Sequence, residues 1–536
     1  MSNSPPTFNL WSAPWLTVER PSGQLDTLSI EQTLAEAHLI HALYDPSPLV
    51  VVGIHRLLVA VLQTAYAPQS TSDLVQIWRE GHFLPDKIAS FGAQYAGRFD
   101  LFAAVVPFYQ SADLPLYPAK GDKTKPVGYL LEEQPAGTAV THYNHSYDDA
   151  LVLCSSCAAK GLLVMPAFAS SGGAGIKPSI NGVPPMYVLP GGETLFQSLT
   201  ASLTISEFQP PNFEAGQPLK GGVWWERPAP TVVEKKGEVR RVSYLHSLTF
   251  PARRIRLHPV PMLQPCTRCG EQTAWGTQAM VYEMGEDHVS SIWWRDPFAA
   301  FRAPKNEQEA PLPIRPFERR ALWREFRGLF LPHEKDSEGA QTFRPAIINQ
   351  IWAVWSRDKR ILPYEKIPFR VIGLRTDMKM KIFEWEETGF LVAPRLLDDP
   401  KTAEKIQAGI DFAADADSIL KKTFRVHFGG DGKAERYATL KRQMSVQYWQ
   451  QLGQKFQTSL MAYANSDDSN KVFHTWLDTV LQEARNIFDE TIEALPGDGP
   501  TLHKRQVAIS DCRKNLFGYR KKNYPKPTEE SHDPHK

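Results

Sequence analysis

Apolar residues recur at helical spacing through the first 110 residues of the chain. Ser29 followed by Gln32 is a capping-box start, and the apolar positions after it fall on one helix face. Ser47-Pro48 places proline at the first position of a strongly apolar helix that extends to about residue 66. A further helix is predicted to begin near residue 71 and to end at Gly81. This region is therefore predicted to be helical after a short extended entry.

From about residue 115 to residue 390 the pattern changes. Short runs of β-branched and aromatic residues alternate with clusters of Pro and Gly; examples are Thr231–Val233, Val242–Leu245 and Ile255–His258. Such a pattern is typical of a mixed α/β domain with long loops.

After about residue 400 Pro and Gly become sparse, and the spacing predicts four long helices. They cover 402–427, 433–464, 469–494 and 501–522, with short polar connections between them. Long helices joined in this way favour an up-down four-helix bundle. The predicted fold class is therefore α+β, with a mixed α/β domain over 1–395, a four-helix bundle over 396–524 and a disordered tail over 525–536.

Composition narrows the class of protein. The 536 residues contain 60 Lys and Arg against 59 Asp and Glu, so the net charge of +1 excludes a globally basic binder. Hydrophobic residues at 42% exclude wholesale disorder. The most apolar stretch, 49–67, is interrupted by His55 and Arg56, and no signal-peptide pattern opens the chain. We therefore expect a soluble, cytoplasmic protein with no membrane partner.

Four of the five cysteines form two C-x-x-C pairs, Cys154 with Cys157 and Cys266 with Cys269. Each pair can place two thiolates on one turn, and two such knuckles complete a four-cysteine structural Zn²⁺ site. The long separation of the pairs leaves four buried thiols or a redox pair as the alternative. Cys512 lies in a helical pattern and is predicted to be a core thiol.

Charge is segregated along the predicted bundle. Basic residues dominate 421–455 and 504–526, whereas acidic residues dominate 467–498. The last helix includes Lys504, Arg505, Arg513 and Lys514. These residues either form a stripe that binds a phosphate backbone or pair with the acidic helix.

Recognisable catalytic motifs are absent from the sequence, including the P-loop, H-E-x-x-H and G-x-S-x-G patterns. A group of aspartates suggests a two-metal nuclease cluster, although capping and solvated carboxylates explain it more simply: Asp398, Asp399, Asp411, Asp415 and Asp417. A glycine-rich segment, Gly172-Gly173-Ala174-Gly175, is followed by Lys177. It is either a flexible surface loop or a backbone able to approach an anion or a base edge closely.

Several segments in order carry a family resemblance. The chain opens with Phe8-Asn9-Leu10-Trp11 and continues with Pro107-Phe108-Tyr109-Gln110. The first C-x-x-C, the glycine-rich segment, the second C-x-x-C-G, Gly373-Leu374-Arg375-Thr376-Asp377 and a helical bundle then follow. This set resembles the large subunit of the type I-E CRISPR Cascade complex, the CasA family, over residues 8–522.

The resemblance implies a non-catalytic reader of double-stranded DNA. Such a subunit recognises the protospacer-adjacent motif (PAM) from the minor groove and wedges the duplex open for the guide. Its implied partners are the other Cascade subunits, the CRISPR guide RNA, the target DNA and a helicase-nuclease. The competing hypothesis is a zinc-stabilised enzyme that processes nucleic acid, with an unrecognised nuclease site.

The resemblance also implies DNA-binding residues. The PAM loop maps onto Gly172–Gly175 and Lys177, where Ala174 replaces a glycine of some relatives. A second contact maps onto Tyr143, Asn144 and His145, and the wedge maps onto Asp377 and Met378, with Lys379 beside them. Met378 stands where the family commonly has Gln, and an apolar side chain can still insert between base steps.

Overall fold

The computed structural model describes residues 6–119, 124–132, 151–170, 176–210, 222–239, 242–288, 294–304, 306, 309–316, 321–332, 341–357, 366–376, 382–429, 437–495, 497 and 499–525. The chain divides into two compact units. Unit 1 comprises Met1–Glu318 and Gly328–Phe390, and unit 2 comprises Arg319–Arg327 and Leu391–Lys536. The short segment 319–327 therefore belongs with the C-terminal helices, which the sequence did not predict.

The helices are α1 Ile30–Ala35, α2 Pro48–Tyr66, α3 Thr71–Glu80, α4 Pro85–Tyr95, α5 Ser155–Phe168, α6 Leu195–Ser202, α7 Tyr244–Leu248, α8 Phe326–Phe330, α9 Ala346–Arg357, α10 Pro400–Phe428, α11 Ala438–Asn465, α12 Ser469–Glu493 and α13 Gly499–Asn523. The strands are β1 Leu16–Glu19, β2 Leu25–Leu28, β3 Ala42–Leu43, β4 Lys125–Pro126, β5 Leu153–Cys154, β6 Tyr187–Pro190, β7 Glu238–Val239, β8 Arg253–Pro261, β9 Trp275–Met284, β10 Asp287–His288, β11 Phe301–Arg302, β12 Leu312–Pro313, β13 Thr342–Phe343, β14 Ile367–Thr376 and β15 Ile382–Val392.

Unit 1 is built around α2 and α5, which pack against each other. A Cβ atom at Gly53 of α2 would lie 2.5 Å from the carbonyl oxygen of Leu163 in α5, so only glycine permits this approach. By length and composition alone, α2 is long and apolar enough to cross a membrane, but 83% of its apolar stretch is buried inside the protein. His55 and Arg56 within it are hydrogen bonded to Ser202 and Asp296.

The long strands β8 and β9 pair antiparallel, with Arg253 opposite Met284 and Pro261 opposite Trp275. Strands β4 and β5 extend this sheet along β9. A separate sheet has the order β15-β14-β6, and β6 is antiparallel to β14. Smaller sheets have the orders β2-β1-β3, β12-β11-β13 and β10-β7.

Local sequence signals account for many element boundaries. Ser29 and Gln32 form the predicted capping box of α1, and Gly81 ends α3 in the left-handed conformation at φ +73°. Of the β-branched runs, Ile255–His258 lies in β8, whereas Thr231–Val233 has no regular structure. Val242–Leu245 leads into α7 because the Ser243 hydroxyl caps that helix. Helix α1 ends at Ala35, and a single 3-10 turn follows at Ala37–Leu39.

Unit 2 contains the four predicted C-terminal helices, and α11, α12 and α13 all pack with α10 or with each other. Its aromatic centre includes a residue from the 319–327 segment. The Trp323 ring lies 4.7 Å from that of Phe456 and 5.6 Å from that of Trp449, between centroids. Phe326 adds an edge-to-face contact with Phe456 at 5.5 Å. Such aromatic pairs add to the stability gained from their buried area.

Candidate metal centre and nucleic-acid interface

The four cysteines of the two C-x-x-C pairs come together in unit 1. Their sulfur atoms all lie within 4.8 Å of one another, and those of Cys154 and Cys269 are 3.7 Å apart. Four sulfurs around one zinc ion, with Zn–S bonds of about 2.3 Å, are about 3.8 Å apart. Within the described ranges, this is the only group of three or more His, Cys, Asp or Glu side chains arranged to hold a metal. The donors and their spacing are compatible with zinc.

The first pair lies where a strand meets a helix. Cys154 ends β5, opposite Gly276 of β9, and it is also the N-cap of α5. Its Sγ accepts a hydrogen bond from the backbone N–H of Cys157 at 3.5 Å. The positive end of a helix stabilises a thiolate, so this position favours metal binding.

The second pair lies on the turn that joins β8 to β9. The N–H of Gly270 donates to the carbonyl of Cys266 at 2.8 Å, and Gly270 adopts φ +78°, which favours glycine. Thr267 docks the turn against the first pair, because its N–H donates to the carbonyl of Val152 at 2.9 Å. The N–H of Cys154 in turn donates to the Sγ of Cys266 at 3.3 Å.

The cysteine cluster distributes protons unevenly. Hydrogen bonds from Cys154 and Cys157 lower the pKa of Cys266. The pKa of Cys154 is raised to about 12, since the hydrogen bond from Cys157 lowers it but the Cys266 sulfur and burial outweigh that effect. Hydrogen bonds to Cys154 and Cys266, with burial, raise the pKa of Cys157. A metal ion bound by the cluster would favour the thiolate form of its ligands.

The two flanks of the glycine-rich segment meet at one place in unit 1, which we call the neck. Residues 171–175, which include Gly172 to Gly175, lie outside the described residues, but both flanks are described. The N–H of Ser179 donates to the carbonyl of Ala169 at 2.9 Å and closes the neck. Lys177 of the returning flank is exposed and forms an ion pair with Asp287.

Buried groups that sequence reasoning missed anchor this neck to β8 and β9. Arg253 donates to the carbonyl of Ser170 and, at 2.8 Å, to the hydroxyl of Tyr282. On the other flank the N–H of Lys177 donates to the Sδ of buried Met284 at 3.3 Å. The sequence did contain a signal, namely three arginines within one apolar strand, since buried arginines require partners.

The remaining residues that the resemblance implied fall outside the described ranges. Tyr143, Asn144 and His145 lie in 133–150, and Asp377, Met378 and Lys379 lie in 377–381, between β14 and β15. The tail from residue 526 lies outside them as well.

The register of β6 and β14 relates the glycine-rich segment to residues 377–381. Tyr187 at the start of β6 is opposite Ile372 of β14. Because the strands are antiparallel, the end of β14 that leads to residue 377 lies at the same end of the sheet as the start of β6, which follows the glycine-rich segment. A Cβ atom at Gly373 would lie 3.3 Å from the Met186 side chain, so β14 closely approaches the residue before β6.

Helix α13 presents its basic residues in two environments. Lys504 and Lys514 are exposed, and Arg505 is half-buried. Arg513 instead forms an ion pair at 2.5 Å with Asp489 of the acidic helix α12. Helix-to-helix pairing and a solvent-facing basic surface therefore coexist on α13. On the same helix Cys512 is buried, as predicted, and burial raises its pKa to about 12.

Three of the five aspartates considered for a nuclease site have local structural roles. Asp399 caps α10 by accepting from the N–H of Thr402 at 3.0 Å. Asp417 accepts from Lys421 at 2.6 Å and from the Trp449 indole at 3.1 Å. Asp411 accepts from Gln407 at 2.7 Å. Nothing in these contacts favours the nuclease hypothesis.

The two units and the cysteine cluster define a mixed α/β protein with a C-terminal helical unit, and solved structures share this fold. Cse1 of Thermobifida fusca aligns with a TM-score of 0.75 and 21% identity, over 96% of this chain and 98% of that protein. Cse1 of Acidimicrobium ferrooxidans aligns with a TM-score of 0.74 and 20% identity, over 97% and 99%. A chain of a CRISPR RNA-guided surveillance complex aligns with a TM-score of 0.71 and 18% identity, over 96% and 100%.

Sequence comparison gives the family. The model for CRISPR-associated protein Cse1 matches residues 9–487, so the chain belongs to the Cse1 (CasA) family and the predicted resemblance is confirmed. The CRISPR-associated protein CasA/Cse1 of Thermus thermophilus is 29% identical over 337 residues, which are 61% of this chain and 61% of that relative. The family match ends within α12, so it does not include α13.

Proposed function

We propose that this chain is the non-catalytic large subunit of a cytoplasmic type I-E Cascade complex. In this proposal it works with the other Cascade subunits and the CRISPR guide RNA, reads the PAM of double-stranded DNA from the minor groove, and opens the duplex beside it. The assembled complex then recruits a helicase-nuclease. Family membership supports the general role, and a solved relative is part of an RNA-guided surveillance complex.

One observation supports the division into reading and opening. The register between β6 and β14 brings the start of β6, the strand that follows the glycine-rich segment, and the strand end before Asp377 to the same end of one sheet. If the glycine-rich segment reads the minor groove and Met378 wedges the adjacent base step, both act from one rigid support. Reading and opening would then be coupled through the sheet rather than through a flexible linker.

The test uses the complex assembled with this chain and a defined guide. Binding to double-stranded targets that carry a randomised motif beside the matched sequence should select a short PAM. A complex that lacks this chain should bind targets without that selection. Equal binding to every flanking sequence by the complete complex would overturn the proposal.

We further propose that the four cysteines hold one structural zinc ion. The site lies at one end of α5 and β9, and the neck of the glycine-rich segment lies at the other end of both elements, near Ala169 and Met284. Helix α5 and strand β9 pack against each other. A bound ion would fix their relative position and thereby the support of the glycine-rich segment.

Metal analysis of freshly prepared, reduced protein tests this second proposal. We expect about one zinc ion per chain, lost in Cys269→Ser together with much of the thermal stability. Cys512→Ser is the matched control, because Cys512 is buried far along the chain in α13 and should not affect the zinc content. Wild-type protein without bound metal would contradict the proposal.

A further inference from the structure

The buried carboxylate of Asp45 contacts one residue in the turn of the second cysteine pair and one residue in the helix that follows the first pair. The Asp45 side chain is fully buried and accepts two hydrogen bonds from the Arg268 guanidinium, at 2.6 and 3.2 Å. The ammonium group of Lys160 lies 3.1 Å from its Oδ2 atom. The N–H of Ser47, at the start of α2, also donates to it, at 2.9 Å.

The positions of the two cations make this carboxylate relevant to the metal centre. Arg268 stands inside the second C-x-x-C, between Cys266 and Cys269. Lys160 lies in α5, three residues after Cys157 and therefore on the same side of the helix. Asp45 thus joins the turn that carries one cysteine pair to the helix that carries the other, although the partners lie 115 and 223 residues away along the chain.

We propose that Asp45 is a positioning residue for the metal centre, which holds the two cysteine pairs at the separation that one ion requires. This inference rests on the zinc site proposed above. Groups outside the ligand set that orient metal ligands are commonly worth about 10- to 100-fold in metal affinity. Asp45 acts on the ligands through Arg268 and Lys160 rather than by touching a sulfur.

Positioning and simple charge balance lead to opposite expectations. Four thiolates around a divalent ion carry a net negative charge, so the nearby cations alone would favour the metal-bound form. If Asp45 mattered only as a charge, Asp45→Asn would leave those cations less neutralised and would strengthen zinc binding. If Asp45 positions the ligands, Asp45→Asn weakens zinc binding. Arg268→Lys keeps the charge but loses the two-pronged hydrogen bond, so it too should weaken binding.

The chain offers a closely matched control. Asp296 is also fully buried, accepts from an arginine (Arg56, at 3.0 Å), and accepts the N–H two residues ahead (Phe298, at 3.0 Å). Asp45 shares these two kinds of contact, with Arg268 and Ser47, and also pairs with Lys160, whereas Asp296 also accepts from the Asn181 side chain at 3.2 Å. Asp296→Asn therefore reproduces the loss of a buried ion pair in unit 1, at a carboxylate bonded to Arg56, Asn181 and Phe298 rather than to residues that carry the cysteine pairs.

The experiment measures zinc affinity of the full-length protein by competition with a chelator under reducing conditions, for wild type, Asp45→Asn, Arg268→Lys and Asp296→Asn. Cobalt substitution adds a spectrum that reports four-thiolate tetrahedral geometry. We expect a loss of about 10- to 100-fold in zinc affinity and an altered cobalt spectrum for the first two variants, with wild-type values for Asp296→Asn.

Each other outcome is decisive. Unchanged or stronger zinc binding by Asp45→Asn overturns the positioning role. The proposed zinc site itself still stands in that case, provided that the wild-type protein binds zinc. Equal losses in Asp45→Asn and Asp296→Asn show a general stability effect and also overturn it. If Asp45→Asn does not fold, wild-type zinc affinity of Arg268→Lys overturns the positioning role instead. Wild-type protein that binds no zinc overturns the inference together with the proposed site.

Discussion

The backbone N–H of Ser179 donates to the carbonyl oxygen of Ala169 at 2.9 Å, so the two flanks of the glycine-rich segment meet. Arg253 holds the outgoing flank at Ser170, and Met284 and Asp287 hold the returning flank at Lys177. Substitutions between the flanks should therefore act on what the segment contacts and leave the surrounding fold in place.

The first prediction concerns Gly173. If this segment enters the minor groove, Gly173→Asp should abolish PAM discrimination, because it adds bulk and a negative charge facing phosphates. The control is Gly97→Asp, because Gly97 has no neighbouring atom within 4 Å of an added Cβ. Target binding across a set of motif variants measures the effect. Retained discrimination in Gly173→Asp would contradict the assignment of this segment as the reader.

The second prediction separates opening from reading. Met378→Ala should leave motif contact intact and slow duplex opening, since unstacking a base step costs a few kcal/mol that an inserted side chain offsets. A target with a pre-opened bubble beside the motif should remove the Met378→Ala defect and leave the Gly173→Asp defect. The opening rate is measured from the fluorescence change of a fluorescent base analogue placed beside the motif. Rescue of both variants by the bubble would show that the glycine-rich segment does not read the motif.

The third prediction divides the basic residues of α13. Lys504→Ala with Lys514→Ala should weaken target binding and reduce the slope of log affinity against log salt by about 1 to 2, because exposed lysines release counterions from phosphates. Arg513→Ala should change the slope less, since Arg513 pairs with Asp489 at 2.5 Å. Motif preference should not change in either variant.

Lys401→Ala, at an exposed position of α10, is the control for the α13 variants. Affinity measured between low and moderate salt is the readout. An unchanged slope in the double lysine variant would show that α13 does not contact phosphates.

The fourth prediction is a pH dependence set by His55. Burial, with the charges of Arg370 and Arg56, lowers the pKa of His55 to about 3, so the folded protein holds it neutral. The unfolded chain takes up the proton near pH 6.5, and stability therefore falls as the pH drops from 6.5 toward 3. The expected contribution is about 1.4 kcal/mol per pH unit.

His55→Gln should flatten this dependence between pH 6 and 4.5, because glutamine does not titrate and can still reach Ser202. Denaturant unfolding at several pH values measures the slope. His503→Gln, at an exposed position of α13, is the control and should follow the wild type. Parallel curves for wild type and His55→Gln would contradict the prediction.

Features that depend on residues close together in the sequence could be predicted from it. The capping box of Ser29, the helix-ending Gly81 and the cysteine pairs belong to this group. The helix at Tyr244–Leu248 was not predicted, because one serine cap outweighed a β-branched run. Asp45 could not be found from sequence at all, since an isolated carboxylate gives no sign that its partners lie more than a hundred residues away.

Unit 2 is encoded by two separate stretches of the gene, one for residues 319–327 and one for residues 391–536. The chain passes between the two units after residues 318, 327 and 390, and the Trp323 ring packs with Trp449 and Phe456 from the later part. Recombination between relatives at a single crossover near residue 390 would combine a Trp323 from one parent with a helical core from another. Exchange of the whole of unit 2 therefore requires two further crossovers, one on each side of 319–327. We expect recombinant chains that persist to carry Trp323 and its aromatic partners from the same parent.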